Sequence, residues 1–203
     1  MDWQRRPASL RLYVSAVVGG GGIVYLWALS ETVRFLASLP TNEIATFLGI
    51  LFVACLSARW VLRIPRTTNW MAVADCLILS IVMIYGLAPG IVAHGLFHLV
   101  SYWFAVQREP QENRGVPLAW SKLQAVFNLA SGALYALAYG AVFVLVKPTE
   151  SVAAPGIILP VLLVGLTYFV INGLVTHTAQ ALAGQGQFLD LWKQDFPLLP
   201  VYF

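Results

Sequence analysis

Hydrophobic positions along this chain follow neither the strand period of two nor a one-sided helical period; they gather into six long blocks. The blocks run from Leu12 to Leu29, Ile44 to Leu62, Trp70 to Leu87, Pro89 to Val106, Leu123 to Val146 and Ile157 to Leu182. Each approaches the roughly 20 apolar residues a helix needs to cross about 30 Å of hydrocarbon. A membrane barrel would instead alternate over segments of about ten residues. The pattern therefore predicts an all-α fold, a polytopic transmembrane helix bundle forming a single membrane-embedded domain over residues 1–203.

The polar punctuation between the blocks supports this division. Arg63-Ile64-Pro65-Arg66 ends the second block, because proline cannot continue the helical ladder and restricts the residue before it. Gly86-Leu87-Ala88-Pro89-Gly90 reads as a tight turn that folds the third and fourth helices into a hairpin. Gln107 to Lys122, with Pro110 and Pro117, is the longest polar connector. After Gly184-Gln185-Gly186-Gln187, the segment Phe188 to Lys193 predicts a short interfacial helix. A new apolar run from Phe196 to Phe203 is too short to span and reads as the start of a truncated seventh helix. No internal repeat is visible, so an inverted-repeat transporter draws little support.

Composition strengthens the membrane reading. Of the 203 residues, 59% are hydrophobic and 10% charged, with mean hydropathy +0.76, whereas a soluble domain carries roughly a quarter charged residues. A net charge of +3 and a pI near 9.0 do not indicate a nucleic-acid partner, because the basic residues stand singly or in small groups at block ends. Those residues act as topology signals instead. With the N-terminus inside, only Arg34 and Lys147 fall outside, leaving ten of the twelve basic residues on the cytoplasmic side. The expected setting is a bacterial inner membrane, crossed about six times from a cytoplasmic N-terminus. No small-residue cleavage site precedes Glu31, so the first block reads as a retained span. Trp3, Trp27, Trp60, Trp70, Trp103, Trp120 and Trp192 lie near block boundaries, as interfacial anchors do.

Polar groups inside apolar blocks are costly unless paired, which makes Asp75, His94, His98, Asn128, Asn172 and His177 the candidate binding or polar-core residues. Ser101 and Ser131 are minor partners. His94 and His98, four residues apart, share one helix face. They can hydrogen-bond across the bundle, take part in proton sensing, or contribute two ligands to a metal or haem. Gly95 follows His94, so the zinc-protease pattern with its glutamate is absent. Asp75 either pairs with Arg59 or Arg63 or binds a cation, proton or polar ligand. Asn128 and Asn172 predict interhelical amide hydrogen bonds, or a shared cavity with Asp75 and Ser101. The run Gly19 to Gly22 and the stretch Ala130 to Ala133 permit close helix approach, and the glycine run makes its helix locally weak. Cys55 and Cys76 fall in apolar blocks as inert thiols. Glu109, Glu112, Asp190 and Asp195 lie in loops or near the end and read as solvated. No phosphate loop, nucleophile elbow or metal motif is present, so no enzyme, cofactor or metal is expected.

Four stretches carry a family resemblance: Arg11 to Val14, Gln124 to Ala130, Tyr168 to Asn172 and Leu191 to Phe196. Across nearly its whole length the chain resembles the N-terminal multi-helix membrane sensor regions of bacterial GGDEF and HD-GYP signalling proteins, the MASE-type sensors. The resemblance implies about eight helices ahead of a cytoplasmic output domain, a part in cyclic-di-GMP signalling, and a homodimer formed through the output module. It places no catalytic residue in this chain. Asn128 and Asn172 fall in the matching stretches, whereas His94 and His98 depart from the pattern. The leading expectation is a sensory or regulatory module in the lipid bilayer, answering a small ligand or other stimulus. The alternatives are a small transporter or substrate-capture subunit, and a histidine-based metal or haem membrane protein.

Overall fold

In the computed structural model, residues 3–59, 61–63, 70–72, 74–108, 118–146 and 158–195 are described. The connector around Pro110 and Pro117 and the run Phe196 to Phe203 lie outside the described residues. After a 3-10 turn at Trp3–Arg5, α1 (Ala8–Ser38) and α2 (Thr41–Ser57) lead into a hairpin of β1 (Val61–Arg63) and β2 (Trp70–Ala72). Then come α3 (Ala74–Tyr85), α4 (Leu87–Arg108), α5 (Leu118–Val146), α6 (Ile158–Leu182) and α7 (Phe188–Asp195). Helices dominate because long apolar runs must satisfy their own backbone hydrogen bonds where no water reaches.

Four of these helices are long and apolar enough to cross a membrane: α1, the Leu87–Phe104 part of α4, the Lys122–Val146 part of α5, and α6. Their outward sides are apolar rather than polar. Leu12, Ile23, Leu26, Leu145 and Leu159 each expose more than three fifths of their surface, an inversion of the pattern of a water-soluble bundle. α2, at 17 residues, and the apolar Cys76–Tyr85 segment of α3 are shorter.

Several predicted boundaries move. The second helix ends at Ser57 rather than Leu62, capped by Ala58, whose N–H reaches the carbonyls of Cys55 and Leu56. The chain then becomes extended, and Val61, Leu62 and Arg63 pair antiparallel with Ala72, Met71 and Trp70. Trp70 therefore belongs to a strand, not to the third helix. At the other end of α3, the predicted five-residue turn shrinks to Gly86, held at φ +95°. Leu87 to Gly90 already belong to α4, with Pro89 in the first turn, where its missing N–H costs nothing. α1 runs without interruption through Gly19 to Gly22, so the glycine run neither breaks nor ends the helix.

Close approach explains one of those glycines. Gly21 is buried, and a methyl group there would overlap the backbone of Ala130 on α5. α1, α4, α5 and α6 surround the main core, in which Ala28, Val82, Ile91, Ala133, Ala136, Phe143 and Val164 are buried. Smaller cores join α2 and α3 to α4 around Ala54, Ile78 and Phe97, and around Phe47, Ile81 and Ala93.

α6 ends in a Schellman motif. Gly184 stands at φ +77°, Gln185 N–H bonds the Gln180 carbonyl at 3.0 Å, and Gly184 N–H bonds that of Ala181 at 3.0 Å. The predicted interfacial helix follows as α7 and folds back against α6. Trp192 packs over Gly173 and beside Phe169, with ring centroids 6.2 Å apart.

Candidate functional site

α4 carries His94 and His98 one helical turn apart, and α5 runs antiparallel beside it. The two imidazoles stack, with centroids 4.8 Å apart and planes within 13°. His94 is 2% exposed. Its Nδ1 lies 3.2 Å from the Tyr139 hydroxyl. Three tyrosine rings surround it, with centroids at 6.3 Å for Tyr135, 6.1 Å for Tyr139 and 6.0 Å for Tyr168. His94 falls near the middle of the apolar length of α4, Tyr135 and Tyr139 near the middle of α5, and Tyr168 near that of α6. The cluster is therefore at mid-depth in the apolar bundle.

Gly132 makes room for the pair. A Cβ at this position would stand 2.5 Å from His98 Cδ2, 3.0 Å from His98 Nε2 and 3.5 Å from His94 Cδ2. The glycine lets the α5 backbone meet the edges of both rings. The Nε2 atoms of His94 and His98 are both buried and have no hydrogen-bond partner. A buried polar atom left unpaired costs about 1–3 kcal/mol, so this arrangement stores a demand for a partner.

Stacking limits what the pair can do. A ring lone pair lies in its ring plane, and face-to-face stacking sets the two planes side by side, so an iron between the rings would lie outside both planes and could not be ligated axially by the pair. Among the described residues, no third histidine, cysteine, aspartate or glutamate joins the pair to complete a metal site. Accepting a proton asks less of the geometry. The three tyrosine rings within 6.3 Å of His94 are the groups that would meet an imidazolium, while repulsion within the stack opposes a second charge.

The other candidates lie elsewhere. Asn128 lines a half-open cavity of about 210 Å³ between the N-terminal parts of α1 and α5 and the C-terminal part of α6. Val14, Gln124, Phe127, Thr176 and Gln180 line it as well. Asn172 is tied to its own helix, its Oδ1 accepting from Thr176 Oγ1 at 3.2 Å. His177 is buried beneath α7, with its ring 5.8 Å from Trp192 and 6.4 Å from Phe188. Ser101 stays on α4 with a buried hydroxyl, and Ser131 Oγ donates to the Asn128 carbonyl at 3.1 Å. Asp75 is the second residue of α3, and its side chain lies outside the described residues. The cavity thus takes Asn128 without Asn172 or Ser101 in its lining.

The tyrosines are what sequence reasoning missed. Tyrosine at a membrane boundary is ordinary, but Tyr135, Tyr139 and Tyr168 sit mid-block, where a hydroxyl needs a partner. Their depth was the available signal. Tyr13 shows the same economy near the N-terminus of α1, its hydroxyl donating to the Val175 carbonyl at 3.0 Å and linking α1 to α6. In comparisons with known proteins, no family model, curated protein or solved structure matches this chain.

Proposed function

We propose that this chain is a membrane-embedded sensory or regulatory module in which protonation of the His94–His98 pair shifts the packing of α4 against α5. The observation that carries this reading is the stacked, buried pair with two unpartnered ring nitrogens at the centre of the bundle. Adding one charge there changes what the surrounding tyrosines and the α5 backbone must accommodate. A stimulus with different affinity for two helix arrangements is what a sensor needs. The resemblance to the MASE-type regions points the response toward a cyclic-di-GMP output domain in the cytoplasm.

The membrane setting supports this reading. We place α1 to α6 across a bacterial inner membrane with the N-terminus in the cytoplasm, following the bias of basic residues to one side. α2 and α3 serve as the two short spans of the six.

Spin labels on Trp103→Cys and Val126→Cys, both at exposed positions, test the coupling once Cys55 and Cys76 are changed to serine. Lowering the pH stepwise from about 8 to about 4 is expected to shift the label-to-label distance. The shift is lost in His94→Phe. A distance that stays fixed through the titration sinks the sensor reading. A substrate-capture reading rests on the amide-lined cavity at Asn128; it requires a bound small molecule that is lost in Asn128→Ala.

A further inference from the structure

The half-open cavity between α1, α5 and α6 has an apolar side and an amide side. Leu10 and Val14 of α1, both buried, and Leu123 and Phe127 of α5 supply the first. Asn128, Gln124 and Gln180 supply the second, and the exposure of Gln124 and Gln185 puts those two at the rim. Gln180 is fixed from its backbone, its carbonyl accepting the Gln185 N–H at 3.0 Å in the turn that ends α6. Its side-chain Oε1 is buried without a hydrogen-bond partner. Thr176 Oγ1 has spent its proton on Asn172 Oδ1 at 3.2 Å, so it offers the cavity a lone pair. An unpaired buried acceptor is stabilised by any occupant that brings an N–H or O–H.

Volume and charge narrow the choice of occupant. The cavity measures about 210 Å³, more than the roughly 150 Å³ that holds a benzene ring, which leaves room for one small polar group. No charged side chain is in the lining, and Arg11, between Leu10 and Val14 in the chain, is outside it. A charged ligand would therefore give up its hydration without meeting a counter-charge. Water suits the amides but gains nothing from Leu10, Val14 and Phe127, which an organic body covers.

We propose that this cavity binds a small uncharged carboxamide, its apolar body against Leu10, Val14 and Phe127 and its N–H donated to Gln180 Oε1. The ligand carbonyl accepts from the side-chain amide of Asn128 or Gln124, so both ends of its polar group find a partner. Association is non-covalent, and no bond is made or broken. Neither His94 nor His98 is in the lining, and the inference goes beyond the sensor reading without resting on it.

The test is equilibrium dialysis of radiolabelled benzamide against the full chain in lipid nanodiscs, with empty nanodiscs measuring partition into lipid. Benzoate and benzamidine have the same shape and size but carry a negative and a positive charge at neutral pH. Benzamide is expected to saturate at a single equivalent per chain with a Kd of about 1 mM or tighter, the scale open to so small a ligand. The two charged probes are expected to bind at least about tenfold more weakly. Gln180→Leu removes the acceptor and weakens benzamide about tenfold, while Leu123→Trp fills the cavity and abolishes binding. The melting temperature of each variant without ligand shows whether it has folded, and the three probes on the unaltered chain decide the question without the variants. Benzamide uptake no greater than in empty nanodiscs overturns the site, leaving water or lipid as the occupant. Equal uptake of all three probes, or unchanged uptake in the folded variants, overturns it too. The spin-label titration reads the histidine pair separately, so a failure here leaves the sensor reading standing.

Discussion

At the scale of single residues, Gly21 of α1 and Gly132 of α5 decide how closely α5 approaches its neighbours. Gly21 meets the Ala130 backbone, which cannot swing aside as a side chain would. Gly21→Leu is therefore expected to destabilise the fold by the roughly 1–3 kcal/mol typical of overpacking, read as a lower melting temperature in detergent. Gly20→Leu, with nothing within 4 Å of its Cβ position, is expected to leave it unchanged or raise it. Equal losses in the two variants would sink the α1–α5 packing argument. The same scale shows what the sequence made legible in the site. The spacing of His94 and His98 was enough to place them on one face, because helical geometry alone dictates it. Their stacking, and the three tyrosines around them, depend on how α5 and α6 rotate against α4. No local pattern encodes that rotation, and Asn128 and Asn172 show the cost: similar residues at similar depth, one lining a cavity and the other bonded within its own helix.

At the scale of elements, α7 is held by the turn that precedes it. Gly184 must adopt a left-handed conformation at φ +77°, and an alanine there costs about 1–2 kcal/mol. The turn aims α7 so that Trp192 and Phe188 cover His177, which is 4% exposed. Trp192→Ala is expected to raise the rate at which diethylpyrocarbonate modifies His177 several-fold, and Gly184→Ala to raise it less. A rate unchanged in both would mean that α7 does not shield the ring. The long helices were legible because twenty apolar residues in a row have few other solutions. Their ends were not. Ser30 to Ser38 stays helical despite Glu31 and Arg34, which pair at 2.8 Å on the exposed side of α1. The hairpin between α2 and α3 was missed because strands of three residues are too short to show a period.

At the scale of the whole molecule, the exposed surface is apolar around the long helices, and the basic residues gather on one side in the proposed topology. A reporter fused after Lys122 is expected to be active in the cytoplasm, and one fused after Lys147 on the opposite side. The reverse assignment would invert the molecule. The two ends of the bundle differ in kind: one holds a half-open cavity lined by Gln124, Asn128 and Gln180, and near the other Phe143 is buried among apolar neighbours.

Under the proposed six-span topology, the shortness of α2 and α3 has a consequence for the surrounding lipid. At 17 and 12 residues they reach about 25 and 18 Å, while the paired strands that join them have open edges that hydrocarbon cannot solvate. That flank is consequently mismatched to an average bilayer, and the acyl chains beside it must compress locally. Thinner membranes relieve the deformation, so bilayer thickness acts as a mechanical load on the α2–α3 side of the protein.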